Sequence, residues 1–340
     1  MGIESINPAT GEVLRRFEPL NPAQIEERMG RAADAAKTWR RTPLGDRTAV
    51  VRRMGDVLLE RQAVYAKLMT DEMGKPIRAA RDEVAKCADA CHYFADHAAE
   101  FLAPESIDMG GEQALVEFHP IGVVLAVMPW NFPFWQVIRF AAPAICAGNV
   151  GLLKHASNVP QCALALEDVA TRAGAPAGVF QTLLVGSEAV DALIQDHRVE
   201  AVTLTGSNAA GAHVGAQAGR SIKKSVLELG GSDPFIVMPS ADLAKAATMA
   251  VKARVINNGQ SCIAAKRFIV AGAVYDEFVK LFVAGTQALV VGDPSDEKTD
   301  IGPLATAAIR DELHSQVERS VVAGARVVAG GKVRSGKGWY

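Results

Sequence analysis

Between residues 123 and 229, short apolar stretches alternate with longer stretches that have the apolar periodicity of helices. The strand-like stretches are 123–127, 150–153, 180–184, 201–204 and 225–229. The helix-like stretches between them are 134–147, 160–173, 187–195 and 208–218. This alternation predicts parallel strands joined by crossover helices, because strands that are apolar on both sides need cover on both faces of the sheet. Five such strands predict a doubly wound α/β domain.

Helices precede this region, and a second series of strands and helices follows it. The predicted N-terminal helices are 22–39, with Asn21 as N-cap, 45–70 and 76–101. After a break at Gly230 and Gly231, the predicted elements are strand 234–238, helix 242–257, strand 267–271, helices 274–290 and 303–322, and strand 326–329. Because 340 residues exceed what one compact core usually holds, we expect two domains.

Charge and cysteine content argue against several classes of protein. The net charge of −2, from 36 basic and 38 acidic residues, gives no reason to expect nucleic acid or a membrane surface as partner. Neither a signal peptide nor an apolar run of roughly 18 residues is visible. Five scattered cysteines predict no disulfide framework, and Cys87 and Cys91 fit a buried helix face better than a metal site. We expect a cytoplasmic protein without a metal.

Polar residues follow the carboxyl ends of three predicted strands, where open α/β sheets bind ligands. Asn131 lies in a segment stiffened by prolines and aromatic residues; its amide suits an oxyanion, or merely the backbone of a packed turn. Lys154 is either a ligand-binding cation or a solvated strand end. Gly206 and Ser207 begin a helix whose N-terminus suits a phosphate, although an ordinary strand-to-helix turn explains them equally well.

Cys262 and Glu228 form a candidate catalytic pair. Cys262 follows a glycine-containing turn, and its thiol is the side chain most able to attack a carbonyl group near neutral pH. Glu228 lies two positions before Gly230 and could activate water. The alternatives are a small buried thiol and a carboxylate that caps a backbone group.

Taken together, these motifs resemble those of the aldehyde dehydrogenase superfamily. The chain contains, in order, Pro-Trp-Asn-Phe-Pro, a lysine after the second strand, Thr-Gly-Ser, Leu-Glu-Leu-Gly-Gly and Gly-Gln-Ser-Cys. Five ordered motifs are far more specific than any one of them, and the resemblance covers the whole chain. Within the family, residues 153–160 look most like the bacterial succinate-semialdehyde dehydrogenases.

The resemblance implies a role for each motif residue. Cys262 would add to the aldehyde carbon as a thiolate, and the side chain of Asn131 and the backbone amide of Cys262 would stabilise the oxyanion. After hydride transfer to NAD(P), Glu228 would activate water to hydrolyse the thioester. Residues implied to bind the cofactor are Trp130, Lys154, Ser157, Gly206, Ser207 and Leu229.

Two residues indicate cofactor and substrate choice. Many NAD-preferring members have a glutamate where this chain has Ser157. A carboxylate there would repel the 2′-phosphate of NADP, whereas the Ser157 hydroxyl can form a hydrogen bond with it and Lys154 can pair with its charge. We therefore expect a preference for NADP, with NAD possible. Arg139, eight residues after Asn131, could bind the distal carboxylate of succinate semialdehyde, or form only a salt bridge.

The resemblance also implies an architecture and a departure from it. We expect a Rossmann-type cofactor domain at 1–112 and 123–229, and a small β oligomerisation arm that includes 113–122. An α/β catalytic domain at 230–340 would be incomplete at its C-terminus, because family members continue well beyond residue 340. The full-length form is expected to be a homodimer or homotetramer. Two other readings stay open, namely a thiol esterase or acyltransferase and an inactive truncated fragment of the dehydrogenase.

Overall fold

The computed structural model describes residues 2–111 and 113–340. The chain divides into two compact units. The first contains residues 15–66 and 81–228 with a short N-terminal segment, and the second contains residues 6–14, 67–80 and 229–340. The prediction of which domain binds the cofactor and which carries the nucleophile stays a prediction.

The N-terminal region is mostly helical, as predicted. Strands β1 (Ile3–Ile6) and β2 (Val13–Phe17) precede four helices: α1 (Pro22–Trp39), α2 (Leu44–Glu60), α3 (Gln62–Met73) and α4 (Ile77–Phe101). Asn21 caps α1, and its side chain accepts a hydrogen bond from the Gln24 amide. The single helix predicted over 45–70 is wrong. Arg61 leaves helical geometry at φ −115° and ψ 18°, which ends α2 and separates it from α3.

A two-stranded hairpin follows the helices. Strand β3 (Glu105–Asp108) pairs antiparallel with β4 (Gln113–Val116). The sequence predicted the second strand only, because β3 is polar apart from Ile107 and lacks the apolar alternation of a half-buried strand. The assignment of 113–122 to an oligomerisation arm stays a prediction.

A five-stranded parallel sheet forms the centre of the first unit. Its strands are β5 (Val123–Met128), β6 (Val150–His155), β7 (Phe180–Thr182), β8 (Val199–Thr205) and β9 (Lys224–Glu228). The connecting helices are α5 (Trp135–Cys146), α6 (Pro160–Arg172), α7 (Val190–Gln195) and α8 (Asn208–Arg220). The strand order β7-β6-β5-β8-β9 confirms the predicted doubly wound topology. The strand order reverses at β5, with β6 and β7 on one side of it and β8 and β9 on the other. Strands β5 and β8 therefore flank the switch point where such sheets bind ligands.

The second unit contains a smaller parallel pair of strands. Strands β10 (Pro234–Val237) and β11 (Arg267–Val270) pair in register, and the helices are α9 (Leu243–Val255), α10 (Tyr275–Gln287) and α11 (Ala307–Val322). Val237, Ala247, Ala250 and Phe278 form a buried cluster that joins this sheet to α9 and α10.

Two predictions for the second unit are wrong. Residues 326–329 form no strand; Val327 and Val328 are about half exposed and lie outside the sheets of the described chain. The last helix begins at Ala307 rather than 303, because the Thr306 hydroxyl accepts a hydrogen bond from the Ile309 amide and fixes the N-cap there.

Among the described residues, no helix is both long enough and apolar enough to cross a membrane.

Candidate active site

The carboxyl edge of the five-stranded sheet brings most of the predicted site residues together. Met128 pairs with His155 across β5 and β6, and Thr205 pairs with Glu228 across β8 and β9. These strands therefore end at the same edge, with β5 and β8 adjacent at the switch point. Trp130, Asn131, Lys154, Ser157, Gly206, Ser207 and Glu228 all lie on these strand ends or in the loops that follow them.

A buried histidine forms a hydrogen bond with the loop that carries Trp130 and Asn131. His155 is 5% exposed, and the Ala156 amide donates to its Nδ1 at 2.9 Å. The hydrogen is therefore assigned to Nε2, which donates to the Pro133 carbonyl at 2.9 Å. Burial lowers the pKa of His155 from 6.5 to about 4, so the ring is neutral near pH 7. A neutral imidazole thus links the end of β6 to the Asn131 loop.

The far end of the same loop is fixed by a carboxylate from α4. Glu83 is buried, and its Oε1 accepts hydrogen bonds from the amides of Phe134 and Trp135 at 3.0 and 2.9 Å. These amides belong to the N-cap and the first residue of α5, where a helix has amides without intrahelical partners and a positive dipole end. The Lys86 ammonium lies 3.7 Å from the centre of the Trp135 ring. The side-chain oxygen of Asn131 accepts a hydrogen bond from the Phe132 amide at 3.1 Å.

Lys154 and Ser157 lie at the end of β6. Lys154 is 7% exposed, and burial lowers the pKa of its ammonium, while the charge of Glu188 favours the protonated form. Ser157 is exposed and lines a small surface pocket together with Leu184. A buried cation gains from a nearby anion, so this pair of residues fits a phosphate.

Gly206 and Ser207 form the turn from β8 into α8. Ser207 is the N-cap of the helix, and its hydroxyl oxygen accepts from the Ala210 amide at 3.2 Å. The hydroxyl hydrogen stays available as a donor. A Cβ added at Gly206 would meet Leu204 at 3.5 Å and Ala210 at 3.9 Å, both ordinary contacts, so the glycine is not forced by packing. This helix start fits a pyrophosphate, and together with Lys154 and Ser157 it fits a phosphorylated dinucleotide.

Arg139 is brought into contact with Glu228. Arg139 lies in the first part of α5, and its Nη1 is 3.6 Å from Glu228 Oε2. Its Nη2 donates to Thr205 Oγ1 at 3.3 Å. The two charged side chains are 36% and 54% exposed, so both stay open to solvent and to a solute.

Cys262 lies in the second unit, in a loop that starts with three left-handed residues. Asn257, Asn258 and Gly259 have φ values of 56°, 57° and 73°. Asparagine and glycine adopt this conformation at least cost, which explains the sequence Asn-Asn-Gly. The Asn258 amide nitrogen donates to the carbonyls of Gly74 and Pro303 at 2.9 and 3.2 Å, and its oxygen accepts from the Gly302 amide at 3.0 Å.

The rest of the Cys262 loop is tied down by a lysine. The Lys266 ammonium donates to the carbonyls of Ser261, Cys262 and Ala264 at 3.1, 2.9 and 3.2 Å. A Cβ added at Gly231 would lie 3.1 Å from the Cys262 carbonyl oxygen, so a glycine there allows close approach. Leu229, predicted to bind the cofactor, is partly exposed and lies two residues before Gly231.

The other four cysteines are buried, whereas Cys262 is partly exposed. Burial raises the pKa of Cys146 to about 11 and that of Cys91 further. Since the thiolate is the nucleophile, these two thiols are poor nucleophiles near neutral pH. Within residues 2–111 and 113–340, no group of three or more His, Cys, Asp or Glu side chains is arranged to hold a metal ion.

The fold and the motif residues together define an aldehyde dehydrogenase. The family model "Aldehyde dehydrogenase family" matches residues 1–340, and the chain belongs to this family.

The names of several relatives specify a substrate and a cofactor as well as the family. The chain is 52% identical over 343 residues to the "Succinate-semialdehyde dehydrogenase [NADP(+)]" of Mycobacterium leprae, covering 100% of this chain and 75% of that protein. It is 54% identical over 344 residues to the enzyme of the same name from Mycobacterium avium, covering 100% and 73%. The crystal structure of succinic semialdehyde dehydrogenase from Streptococcus pyogenes in complex with NADP+ has a TM-score of 0.97 at 36% identity, covering 99% and 74%. The chain thus spans about three quarters of these relatives.

Sequence reasoning missed the residues that hold the site in place. Glu83 lies on a helix far from the loop it binds, so no local pattern indicates its role. His155 had one signal, a histidine at the end of an otherwise apolar strand. For Asn258, the Asn-Asn-Gly sequence indicates left-handed backbone but not the hydrogen bonds.

Proposed function

We propose that this chain oxidises succinate semialdehyde to succinate, with NADP as the preferred cofactor. The observation that carries the proposal is the carboxyl edge of the sheet. Lys154 and Glu228 lie at the ends of β6 and β9, Asn131 and Gly206 follow β5 and β8, and Arg139 contacts Glu228 from α5. The names of the mycobacterial and streptococcal relatives support both the substrate and the cofactor.

Cys262 acts as the nucleophile. Its thiolate adds to the aldehyde carbon and forms a thiohemiacetal, whose oxygen carries the developing negative charge. The side-chain amide of Asn131 and the backbone amide of Cys262 donate hydrogen bonds to that oxygen. Removing one such donor typically lowers the rate about 100- to 1000-fold. The contacts of His155 and Glu83 with the Asn131 loop, and of Asn258 and Lys266 with the Cys262 loop, keep each donor in a fixed position.

The cofactor is bound by residues at the sheet edge. Lys154 and Ser157 bind the 2′-phosphate of NADP, because the ammonium supplies a charge and the hydroxyl a donor, with no carboxylate at position 157 to repel it. Gly206 and Ser207 contact the pyrophosphate through the start of α8. Trp130 and Leu229 are further proposed cofactor-binding residues. When bound, NADP would supply the acceptor for the hydride that leaves the thiohemiacetal carbon.

Glu228 completes the reaction by hydrolysing the thioester. It accepts a proton from water as the water oxygen bonds to the acyl carbon, and the Cys262 thiolate leaves. General-base catalysis of this kind typically contributes about 100- to 10,000-fold. Arg139 binds the distal carboxylate of the substrate through paired hydrogen bonds.

The setting of the enzyme follows from the same reasoning. A homodimer or homotetramer is the proposed assembly, with the hairpin of β3 and β4 in the oligomerisation arm. The scattered cysteines support a cytoplasmic location.

The proposal is tested by steady-state kinetics with succinate semialdehyde and each cofactor, beside Cys262→Ala. A longer chain that continues past Tyr340 to the relatives' length serves as the reference for full activity. We expect aldehyde-dependent formation of reduced cofactor, a higher kcat/KM with NADP than with NAD, and no oxidation by Cys262→Ala. Equal or better use of NAD would refute the cofactor assignment. Oxidation that persists in Cys262→Ala would refute the mechanism, and ester cleavage without aldehyde oxidation would favour a thiol esterase.

A further inference from the structure

The contact between Arg139 and Glu228 places two proposed functions on one ion pair. Arg139 is the proposed partner of the substrate carboxylate, yet in the structure its Nη1 faces the Glu228 carboxylate at 3.6 Å. Its Nη2 is held by Thr205 at 3.3 Å. Both partners come from the carboxyl edge of the sheet, Glu228 as the last residue of β9 and Arg139 from α5. One guanidinium therefore serves both as the partner of the proposed general base and as the proposed partner of the substrate carboxylate.

The pair is open to competition by a second carboxylate. A distance of 3.6 Å is longer than a hydrogen bond, and the two side chains are 36% and 54% exposed. Exposed ion pairs of this kind are weak. A guanidinium binds a free carboxylate best through two parallel hydrogen bonds, which the Glu228 contact does not provide. A substrate carboxylate can therefore replace Glu228 at Arg139 at little cost.

Replacement changes what Glu228 can do. While Glu228 Oε2 faces the guanidinium, that oxygen is turned toward Arg139 rather than toward a water molecule. Once the substrate carboxylate occupies Arg139, Glu228 is released to accept the proton of the attacking water.

We propose that Arg139 is a positioning residue for Glu228 as well as a substrate-binding residue, so that an acidic substrate releases its own general base. This inference rests on the proposed function and deepens it. Selectivity for aldehydes with a distal carboxylate then has two sources, tighter binding and faster hydrolysis of the thioester. In that hydrolysis the water oxygen bonds to the acyl carbon, the C–S bond breaks, the Cys262 thiolate leaves and Glu228 takes the proton.

The test divides the substrate into two molecules. Acetaldehyde supplies the reacting group and acetate supplies the carboxylate, and rapid mixing with NADP separates the burst of reduced cofactor from the slower hydrolytic steady state. In the wild type we expect acetate to accelerate the steady-state phase about 2- to 5-fold, in a saturable way, without changing the burst. In Arg139→Ala, the phase is fast without acetate and does not respond to it.

Two further variants complete the design. Arg172→Ala removes an exposed ion pair with Asp168 at the end of α6 and should respond to acetate as the wild type does. Thr205→Val removes the hydroxyl that holds Nη2 and should weaken the response to acetate while leaving some of it.

The outcomes separate this inference from the proposed function. If Arg139→Ala raises KM for succinate semialdehyde on the order of 10-fold, but acetate has no effect on acetaldehyde turnover in the wild type, Arg139 only binds substrate and the release of Glu228 is refuted. If Arg139→Ala hydrolyses the acetyl thioester no faster than the wild type without acetate, the positioning role is also refuted. A wild type that oxidises neither aldehyde refutes the proposed function, and this inference with it.

Discussion

The buried imidazole of His155 should make the stability of this protein fall between pH 7.5 and pH 5. Burial lowers the pKa of His155 from 6.5 to about 4. The unfolded chain therefore binds a proton near pH 6.5 that the folded chain does not bind until the pH falls much lower. The stability that this group contributes is fully present above pH 6.5 and decreases as the pH falls toward 4.

The size of the effect follows from the two pKa values. At pH 5 almost all unfolded molecules carry the proton and few folded ones do, so the free energy of unfolding should fall by about 2 kcal/mol relative to pH 7.5. Further acidification to about pH 4 should bring the total loss of unfolding free energy from this residue to about 3 kcal/mol.

The assay compares urea unfolding of the wild type and His155→Gln at both pH values. Glutamine can still donate to the Pro133 carbonyl but does not titrate. His155→Gln should be less stable at pH 7.5, and the difference between it and the wild type should shrink by about 2 kcal/mol at pH 5. His197→Gln changes a histidine whose side chain is 90% exposed and should follow the wild type at both pH values. If the wild type and His155→Gln lose stability equally on acidification, the account of His155 is wrong.

Three further substitutions test the contacts of the Cys262 loop and the proposed cofactor-binding role of Ser157. Lys266→Met should lower kcat/KM about 5-fold and slow alkylation of Cys262 by iodoacetamide, because three loop carbonyls lose their donor. Lys266→Arg should retain most of the kcat/KM and most of the alkylation rate. Equal behaviour of the two variants would contradict a positioning role for Lys266. Asn258→Ala should lower the free energy of unfolding by about 2–4 kcal/mol, because it removes three hydrogen bonds and strains a left-handed residue, and Asn258→Gly should recover part of this loss in urea unfolding. Ser157→Glu should raise KM for NADP on the order of 10-fold or more, by repulsion of the 2′-phosphate, and leave KM for NAD nearly unchanged; parallel changes in steady-state kinetics would contradict the assignment of Ser157.

The parallel sheet was predictable mainly because β5, β6 and β7 are buried along almost their whole length. Residues 123–128 and 150–155 are almost entirely buried, and such strands have to be continuous apolar runs. The hairpin partner β3 could not be predicted in the same way, since all four of its residues are exposed and its pairing depends on a neighbour rather than on burial. The break at Arg61 was missed because both flanking segments have helical periodicity and no proline or glycine separates them.

The candidate site divides in a similar way between local and distant information. Residues proposed to contact substrate or cofactor were visible because they follow strand ends or belong to ordered motifs. Glu83 and Lys266 were not visible, because their importance depends on which backbone groups they meet after folding. The pairing of Arg139 with Glu228 is of the same kind. Each residue was selected from the sequence for its own role, but only the register of Thr205 with Glu228 brings the carboxylate to the guanidinium.

The most direct test of the account is the identity of the covalent intermediate. Glu228→Gln, mixed with succinate semialdehyde and NADP and then quenched with acid, should accumulate a succinyl thioester, because the step that needs the general base is slowed while the preceding steps are retained. Mass spectrometry of the digested protein should find the succinyl group on the peptide that contains Cys262. Reduced cofactor formed without a succinyl group on Cys262, or with that group on another cysteine, would contradict the central claim that Cys262 is the nucleophile of an aldehyde oxidation.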